Sequence, residues 1–352
     1  MRVLLDTSPI NTEHGIRGIG VYTRTLAEAL ENLEGVEVIR SAALQKNSKP
    51  IVDLIHYPFF DFFFTTLPLF RRAPTIVTIH DVIPLKYPKN YPAGIKGSIR
   101  SKIQQFNIKT VQAIITDSRH SKNDILKYFQ IPSEKIHVVQ LAANPTIQRP
   151  TNKEIQNVLD KYQLPEKYVL YVGDINFNKN IPQLIKSIRY LPSDIHLVCL
   201  GKNFREQEIH EWEVIEQQIA LSDVRERVHF MPSILSEATI ELSAIYSGAQ
   251  AYIQPSIDEG FGLPILEAMI CKTPVVCTEL GSLPEVAGVY AFYSSDSSAE
   301  ALSEATKRAI SQTKKARSEF VEDAFKWANQ FSWQKTALDT RAVYEKVIQS
   351  TK

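Results

Sequence analysis

Short apolar, β-branched runs recur along the chain, separated by segments whose apolar residues return at helical spacing. The runs "RVLLDT" (2–7), "VEVIRSA" (36–42), "VDLIHYP" (52–58), "TIVTIHD" (75–81), "AIITDS" (113–118) and "IHVVQL" (136–141) read as buried strands. The pattern restarts with "YVLYVGD" (168–174), "IHLVCLG" (195–201), "VHFMPS" (228–233), "AYIQPS" (251–256) and "TPVVCTEL" (273–280). Amphipathic stretches such as "VYTRTLAEALENL" (21–33), "NIPQLIKSIRYL" (180–191) and "ATIELSAIYSGA" (238–249) fill the gaps. Alternation of helices with nearly continuous apolar strands predicts an α/β chain of two doubly wound parallel-sheet domains. The polar segment "NPTIQRPTNKEIQN" (144–157) carries no strand pattern and marks the boundary, giving domains 1–155 and 156–331. The closing "FSWQKTALDTRAVYEKVIQ" (331–349) is apolar on one face and is expected to dock as a helix.

Composition narrows the chemistry. A length of 352 residues suits two ordinary domains. The net charge of +1 gives no global footprint for nucleic acid, so a bound anion must be held by a local site. Cys199, Cys271 and Cys277 are an odd count without CxxC spacing, which reads as reduced, buried thiols of a cytoplasmic protein. The N-terminal apolar run is too short for a secretory leader. The longest apolar stretch, "YPFFDFFFTTLPLF" (57–70), is broken by Asp61 and two prolines and falls short of a bilayer span. Its aromatics suit peripheral contact with the inner face of a membrane or the acceptor side of a site, and equally packing beneath a loop.

The stretch "PSIDEGFGLPILEAM" (255–269) places two carboxylates around a glycine hinge between a strand and a helix. In open α/β sheets ligands bind beyond the carboxyl ends of strands. Gly260 and Gly262 permit close backbone approach, Pro264 suits the first helical position, and the amides of Phe261, Gly262 and Leu263 are expected to face an anion. Glu259 and Glu267 then flank that anion and can accept from hydroxyls on either side, as a nucleotide-sugar requires. A capped helix with two solvated acids fits the same stretch, and geometry alone does not separate the two.

This stretch resembles the paired-glutamate motif of retaining GT-B glycosyltransferases of family four, also called glycosyltransferase group 1. "TIVTIHDVIPLKYP" (75–88), "TDSRHSKNDIL" (116–126), "YVGDINFNKNIPQLI" (171–185), "TPVVCTELGSLPEVAG" (273–288) and "FSWQKTALDTRAVYEKV" (331–347) are similar to blocks of that family in its order. The resemblance implies two Rossmann-like domains facing a cleft, with a last helix (about 332–352) packing back on the N-terminal, acceptor-side domain. It implies catalytic roles for three residues. Glu259 would hold donor-sugar hydroxyls, Lys179 the diphosphate, and His80 would reach the donor sugar, with Asp81 orienting its loop. Glu267 would bind the nucleotide ribose, and the backbone of Gly260, Phe261, Gly262 and Leu263 the sugar and diphosphate. Many relatives have an arginine where this chain has Asn178 or Asp174. Asn178 is therefore expected beside the donor, and Asp174 turned away or paired with a basic group.

The glycines of "HGIRGIGVYTRTL" (14–26) sit before a helix, but Thr23 and the long gap after the strand break the dinucleotide fingerprint and disfavour a dehydrogenase. In the family this loop approaches donor phosphate and acceptor, so Gly18, Gly20 and Arg17 are expected there. Gly201, Met231 and Ile234 follow strand ends and are candidates for holding the base.

The implied activity is retaining transfer of a hexose to a hydroxyl of a saccharide or lipid-linked glycan. The donor would be a nucleoside-diphosphate sugar, UDP-glucose ahead of GDP-mannose. No metal is expected, since no DxD motif is evident, and no cofactor beyond the donor. A nucleotide-sugar epimerase of the same fold, or a sugar-nucleotide-binding regulator that has lost turnover, is the alternative. A glycoside phosphorylase is disfavoured because no lysine stands out for pyridoxal phosphate.

Overall fold

The computed structural model describes residues 1–11, 18–41, 51–232 and 239–351. The chain divides into two compact units, Met1–Ala142 with Phe331–Lys352, and Ala143–Gln330. In the first unit, β1 (Arg2–Leu5), β2 (Glu37–Arg40), β3 (Leu54–Tyr57), β4 (Thr75–Thr78), β5 (Ala113–Thr116) and β6 (Ile136–Val138) form one sheet in the order β2-β1-β3-β4-β5-β6. Every pairing is parallel. Its helices are α1 (Gly18–Glu31), α2 (Ile83–Lys86), α3 (Gly94–Lys109) and α4 (Arg119–Phe129). Ser118 caps α4 by accepting from the Ser121 amide at 3.0 Å.

The second unit opens with α5 (Asn152–Lys161). Its sheet comprises β7 (Tyr168–Val172), β8 (His196–Leu200), β9 (Val228–Met231), β10 (Ala251–Gln254), β11 (Val275–Thr278) and β12 (Phe292–Ser294). Between and after them run α6 (Ile181–Ile188), α7 (His210–Ser222), α8 (Thr239–Gly248), α9 (Leu263–Ile270), α10 (Leu283–Ala287), α11 (Ala299–Ile310) and α12 (Lys314–Ala328). The order β9-β8-β7-β10-β11-β12, again all parallel, is that of a Rossmann sheet. Val169, Leu197, Cys199, Ile253 and Val276 are fully buried with helix residues such as Ile185 and Leu302, so apolar layers cover the sheet. All three cysteines are buried free thiols, and burial pushes the Cys271 thiol up to about 12.

Two expectations need correction. The division expected at 155/156 falls inside α5, because the helix belongs with the second unit. Thr151 and Glu154 form a capping box that starts α5. Leu159 then packs so close to Gly248 at the end of α8 that an added Cβ there would lie 2.8 Å from it. The second sheet also has a sixth strand, β12, whose three residues give too short a pattern to be read from sequence.

The last helix, α13 (Trp333–Ser350), is part of the first unit. Its Tyr344 hydroxyl lies 2.7 Å from His56 Nδ1 on β3. The opposite ring nitrogen lies 2.8 Å from Thr78 Oγ1, which also meets the Tyr22 hydroxyl at 3.1 Å. All four residues are buried, so this chain of hydrogen bonds fixes the helix against the sheet.

Candidate functional site

In the second sheet the strand order reverses between β7 and β10, so the loops after these two strands leave it at the topological switch point. The loop after β7 delivers Lys179, and the loop after β10 delivers Glu259. The two side chains pair, with Lys179 Nζ 2.7 and 2.8 Å from the Glu259 carboxylate oxygens. Glu259 Oε1 also accepts from Gln254 Nε2 and Ser256 Oγ, each at 2.6 Å. Oε1 is therefore saturated, whereas among the described residues Oε2 accepts only from Lys179 and keeps capacity for a further donor. An ammonium has three N–H groups, and Lys179 spends two of them on Glu259. Its side chain is 21% exposed against 8% for Glu259, so the cation is the partner nearer solvent.

Loop-to-loop bonds hold this pair in place. Asn178 is buried, donates from Nδ2 to the Asp258 carbonyl at 2.9 Å, and accepts from the Ile257 amide at 2.8 Å. In this structure it ties the two loops together rather than presenting its amide to solvent. Asn180, which sequence reasoning did not single out, has φ +56° and donates to the carbonyls of Pro255 and Ser297. Ser282, likewise missed, is buried and donates to the carbonyls of Glu259 and Phe261 at 3.0 and 2.8 Å. Gly281 (φ +64°) lies against the same turn, where a Cβ would come within 2.6 Å of the Glu259 nitrogen. Both lie in stretches that resemble family blocks, but only the folded contacts give these two residues a role.

Helix α9 begins at Leu263, with Gly262 (φ +105°) as its N-cap, so Pro264 takes the second helical position instead of the first. No side chain caps this end. Pro264 lacks an N–H, and the Ile265 amide bonds to the Gly262 carbonyl. The Gly262 and Leu263 amides find no acceptor among the described residues. An uncapped helix N-terminus attracts an anion. Gly260, Phe261 and Gly262 are buried in the turn, so of the three amides expected to face an anion only that of Leu263 belongs to a partly exposed residue. One turn on, Glu267 Oε2 accepts from the Tyr246 hydroxyl of α8 at 3.0 Å. Burial raises the Glu267 carboxyl, and bonds from Tyr246 and the Asn144 backbone moderate the shift.

The remaining candidates of this unit sit at neighbouring strand ends. Asp174 accepts from Asn203 Nδ2 at 3.2 Å, so of the two expectations, turned away or paired with a basic group, the second is not met. Gly201 donates to the Met231 carbonyl at 3.0 Å, and its Cβ position is only 1.9 Å from the Gly173 oxygen. Bare backbone is thus required where β7 and β8 end. Met231 is buried at the end of β9. Ile234 and Arg17 lie outside the described residues.

In the first unit, Gly18 and Gly20 form the first turn of α1 rather than a loop before it. His80 follows β4, with Nδ1 2.7 Å from Asp117 Oδ2 and Nε2 3.2 Å from the Pro58 carbonyl. The Pro58 carbonyl can only accept, which places a proton on Nε2, and the Asp117 carboxyl at Nδ1 favours a second proton on the ring. Burial opposes this charge, but the Asp117 carboxylate and hydrogen bonds outweigh it and raise the His80 pKa. Asp117 is itself buried and pushed upward by desolvation, and its Oδ1 has no hydrogen-bond partner among the described residues. Tyr22 of α1 stands edge-on to the His80 ring at 4.7 Å. Asp81 accepts from the Ile83 amide at the start of α2, and so shapes the loop.

Comparison with known proteins places this geometry in a family. Residues 152–327 match the model of glycosyl transferases group 1, and residues 40–146 match that of Glycosyltransferase Family 4. The chain is 28% identical over 280 residues to the O-antigen chain mannosyltransferase B of Escherichia coli, covering 78% of this chain and 71% of the relative. It is also 28% identical over 292 residues to an alpha-maltose-1-phosphate synthase of Mycolicibacterium smegmatis, covering 79% and 74%. Among solved structures, sucrose-phosphate synthase from Thermosynechococcus elongatus superposes with a TM-score of 0.74 at 19% identity, covering 99% of this chain and 100% of the other. The Anabaena protein HepE, solved with UDP and glucose, gives 0.73 at 16% identity, covering 98% and 100%. The chain belongs to the group 1 glycosyltransferases and has their GT-B type of architecture, two Rossmann-like domains.

Proposed function

We propose that the protein moves a hexose from a nucleoside-diphosphate sugar to a hydroxyl of a saccharide or lipid-linked glycan, with retention of anomeric configuration. The observation that supports this reading is the Lys179–Glu259 pair at the sheet's switch point, with the Glu259 turn running directly into the uncapped start of α9. The diphosphate lies on the Gly262 and Leu263 amides and takes the third N–H of Lys179. Glu259 Oε2 accepts from a sugar hydroxyl, and Glu267 from the ribose. The anomeric C–O bond to the diphosphate breaks as the acceptor oxygen bonds the same face, and the acceptor proton leaves on the departing diphosphate.

Charge builds on the leaving group as that bond breaks. A cation about 4 Å away contributes on the order of 4 kcal/mol at an effective dielectric of 20. A helix end supplies roughly half a charge. Lys179 is thus the main counter-charge, no metal is invoked, and turnover should survive EDTA. Glu259 is held rigidly by four hydrogen bonds, which suits positioning a sugar better than swinging into covalent attack.

The relatives named as mannosyltransferases support mannose, so we place GDP-mannose ahead of UDP-glucose, reversing the order preferred from sequence. Thermal-shift measurements with both donors, followed by assay of GDP or UDP release, test the reading. A donor at 100 times its Kd stabilises by about 2.7 kcal/mol. Binding with release supports a transferase; binding without release, even with saccharide acceptors, supports the regulator. Failure of every nucleotide-sugar to bind removes the proposed site.

A further inference from the structure

Helix α3 is built inside out. Its buried positions are Gly97, Ser101, Gln104, Asn107 and Ile108, whereas Ile95, Ile99, Ile103 and Phe106 are exposed, Ile95 by 84%. The polar buried face is consistent with tethering: Gln104 donates to the Phe64 carbonyl and Asn107 to the Leu67 carbonyl, at 2.7 and 3.1 Å. These bonds hold the 63–71 segment beside the helix, where Phe64, Leu69 and Phe70 are also exposed, Phe70 by 93%. At about 100° per residue, the four exposed apolar positions of α3 fall within about 80° of arc. Lys102 and Lys109 lie on one flank of that stripe, and Lys96 and Arg100 on the other; all four are exposed. Arg100 also stands over the Phe64 ring at 5.7 Å. Between residues 62 and 116 the sequence has eight basic residues and one acid, Asp81, in a chain whose net charge is +1.

We propose that α3 and the adjoining 63–72 segment form a docking face for the surface of an anionic phospholipid membrane. An apolar stripe bordered on both sides by basic residues is what an interfacial helix requires. The aliphatic and aromatic groups enter the acyl boundary while the cations meet anionic headgroups. A second copy of the chain is the poorer occupant, because symmetric pairing of this stripe sets the basic flanks against each other. Among the described residues no helix is long and apolar enough to cross a membrane, so attachment through this face is peripheral. It serves an enzyme whose acceptor carries a lipid, but stands on α3 independently of the donor assignment.

Sedimentation of the full chain with vesicles tests it. Binding is expected to vesicles of phosphatidylcholine with phosphatidylglycerol, to weaken at least tenfold without the anionic lipid, and to fall with added salt. Ile95→Ser with Ile99→Ser should weaken it by at least about tenfold. Lys102→Gln and Lys109→Gln should each weaken it about fivefold. All four substitutions lie on a solvent face, so melting temperature and the donor-induced thermal shift are expected to stay as in the parent. Absence of binding to anionic vesicles, or binding that these substitutions leave unchanged, overturns the proposal. So does a dimer by light scattering that Ile99→Ser dissolves, which assigns the face to a second copy.

Discussion

Lys179 has two tasks, and one substitution disturbs both. Lys179→Ala removes the counter-charge for the leaving group, and turnover should fall roughly a hundredfold or more. It also strands the Glu259 carboxylate, only 8% exposed, without its cation, at a stability cost of about 3–5 kcal/mol. Lys179→Met combined with Glu259→Gln separates the effects: the melting temperature should recover most of the loss while activity stays absent. If the double variant is as unstable as Lys179→Ala, the pair is not what holds the loop. That Glu259 and Lys179 come together could be expected from sequence, Glu259 from its place at a strand-to-helix turn and Lys179 from its block's resemblance to the family. The pairing of Asp117 with His80, which raises the imidazole pKa, was not legible, because 37 residues separate the two and only the adjacent ends of β4 and β5 join them.

At the level of elements, strand pattern and glycine hinge were enough to locate the turn before α9, since nearly continuous apolar strands and a proline-started helix have few other solutions. The contacts that shape that turn were hidden. Gly281 comes from the loop after β11, and its left-handed φ and the nearby Glu259 nitrogen leave no room for a side chain. Gly281→Ala should cost roughly 2–4 kcal/mol and weaken donor binding together with stability. A chemical melt and a donor titration on the same sample check this; loss of stability with unchanged affinity would detach the 279–283 loop from the site. Helix α3 escaped notice for another reason. Apolar periodicity identifies a helical face but not which way it points, and here the isoleucines point outward. Gly18 and Gly20 were placed in a loop before the helix on the family resemblance, yet the structure takes them into the first turn of α1.

Across the whole molecule, two histidines of the first unit set opposite limits on pH. Burial lowers His56 to about 3, so the folded state keeps it neutral while the unfolded chain takes up a proton below about 6.5. Its contribution is present above that value and is lost as pH falls toward 3. His80 is raised, so its contribution is full below about 6.5 and is lost as pH rises through its folded pKa. His56→Asn should therefore lower stability at pH 7 yet flatten the decline in melting temperature between pH 6.5 and 4. An unchanged acid slope would show that His56 is not the group titrating there.

The bond between Tyr344 and His56 has a consequence for biosynthesis. The two partners are 288 positions apart, and the second unit is spelled out between them. A ribosome delivers the middle module ready to fold while the leading sheet still lacks its clasp. That early portion must wait for residues 331–352, exposing an unfilled seam along β3 to chaperones and proteases meanwhile. A nonsense codon anywhere before Phe331 should thus damage the opposite end of the polypeptide, and a synthetic peptide of 331–352 supplied in trans should repair it.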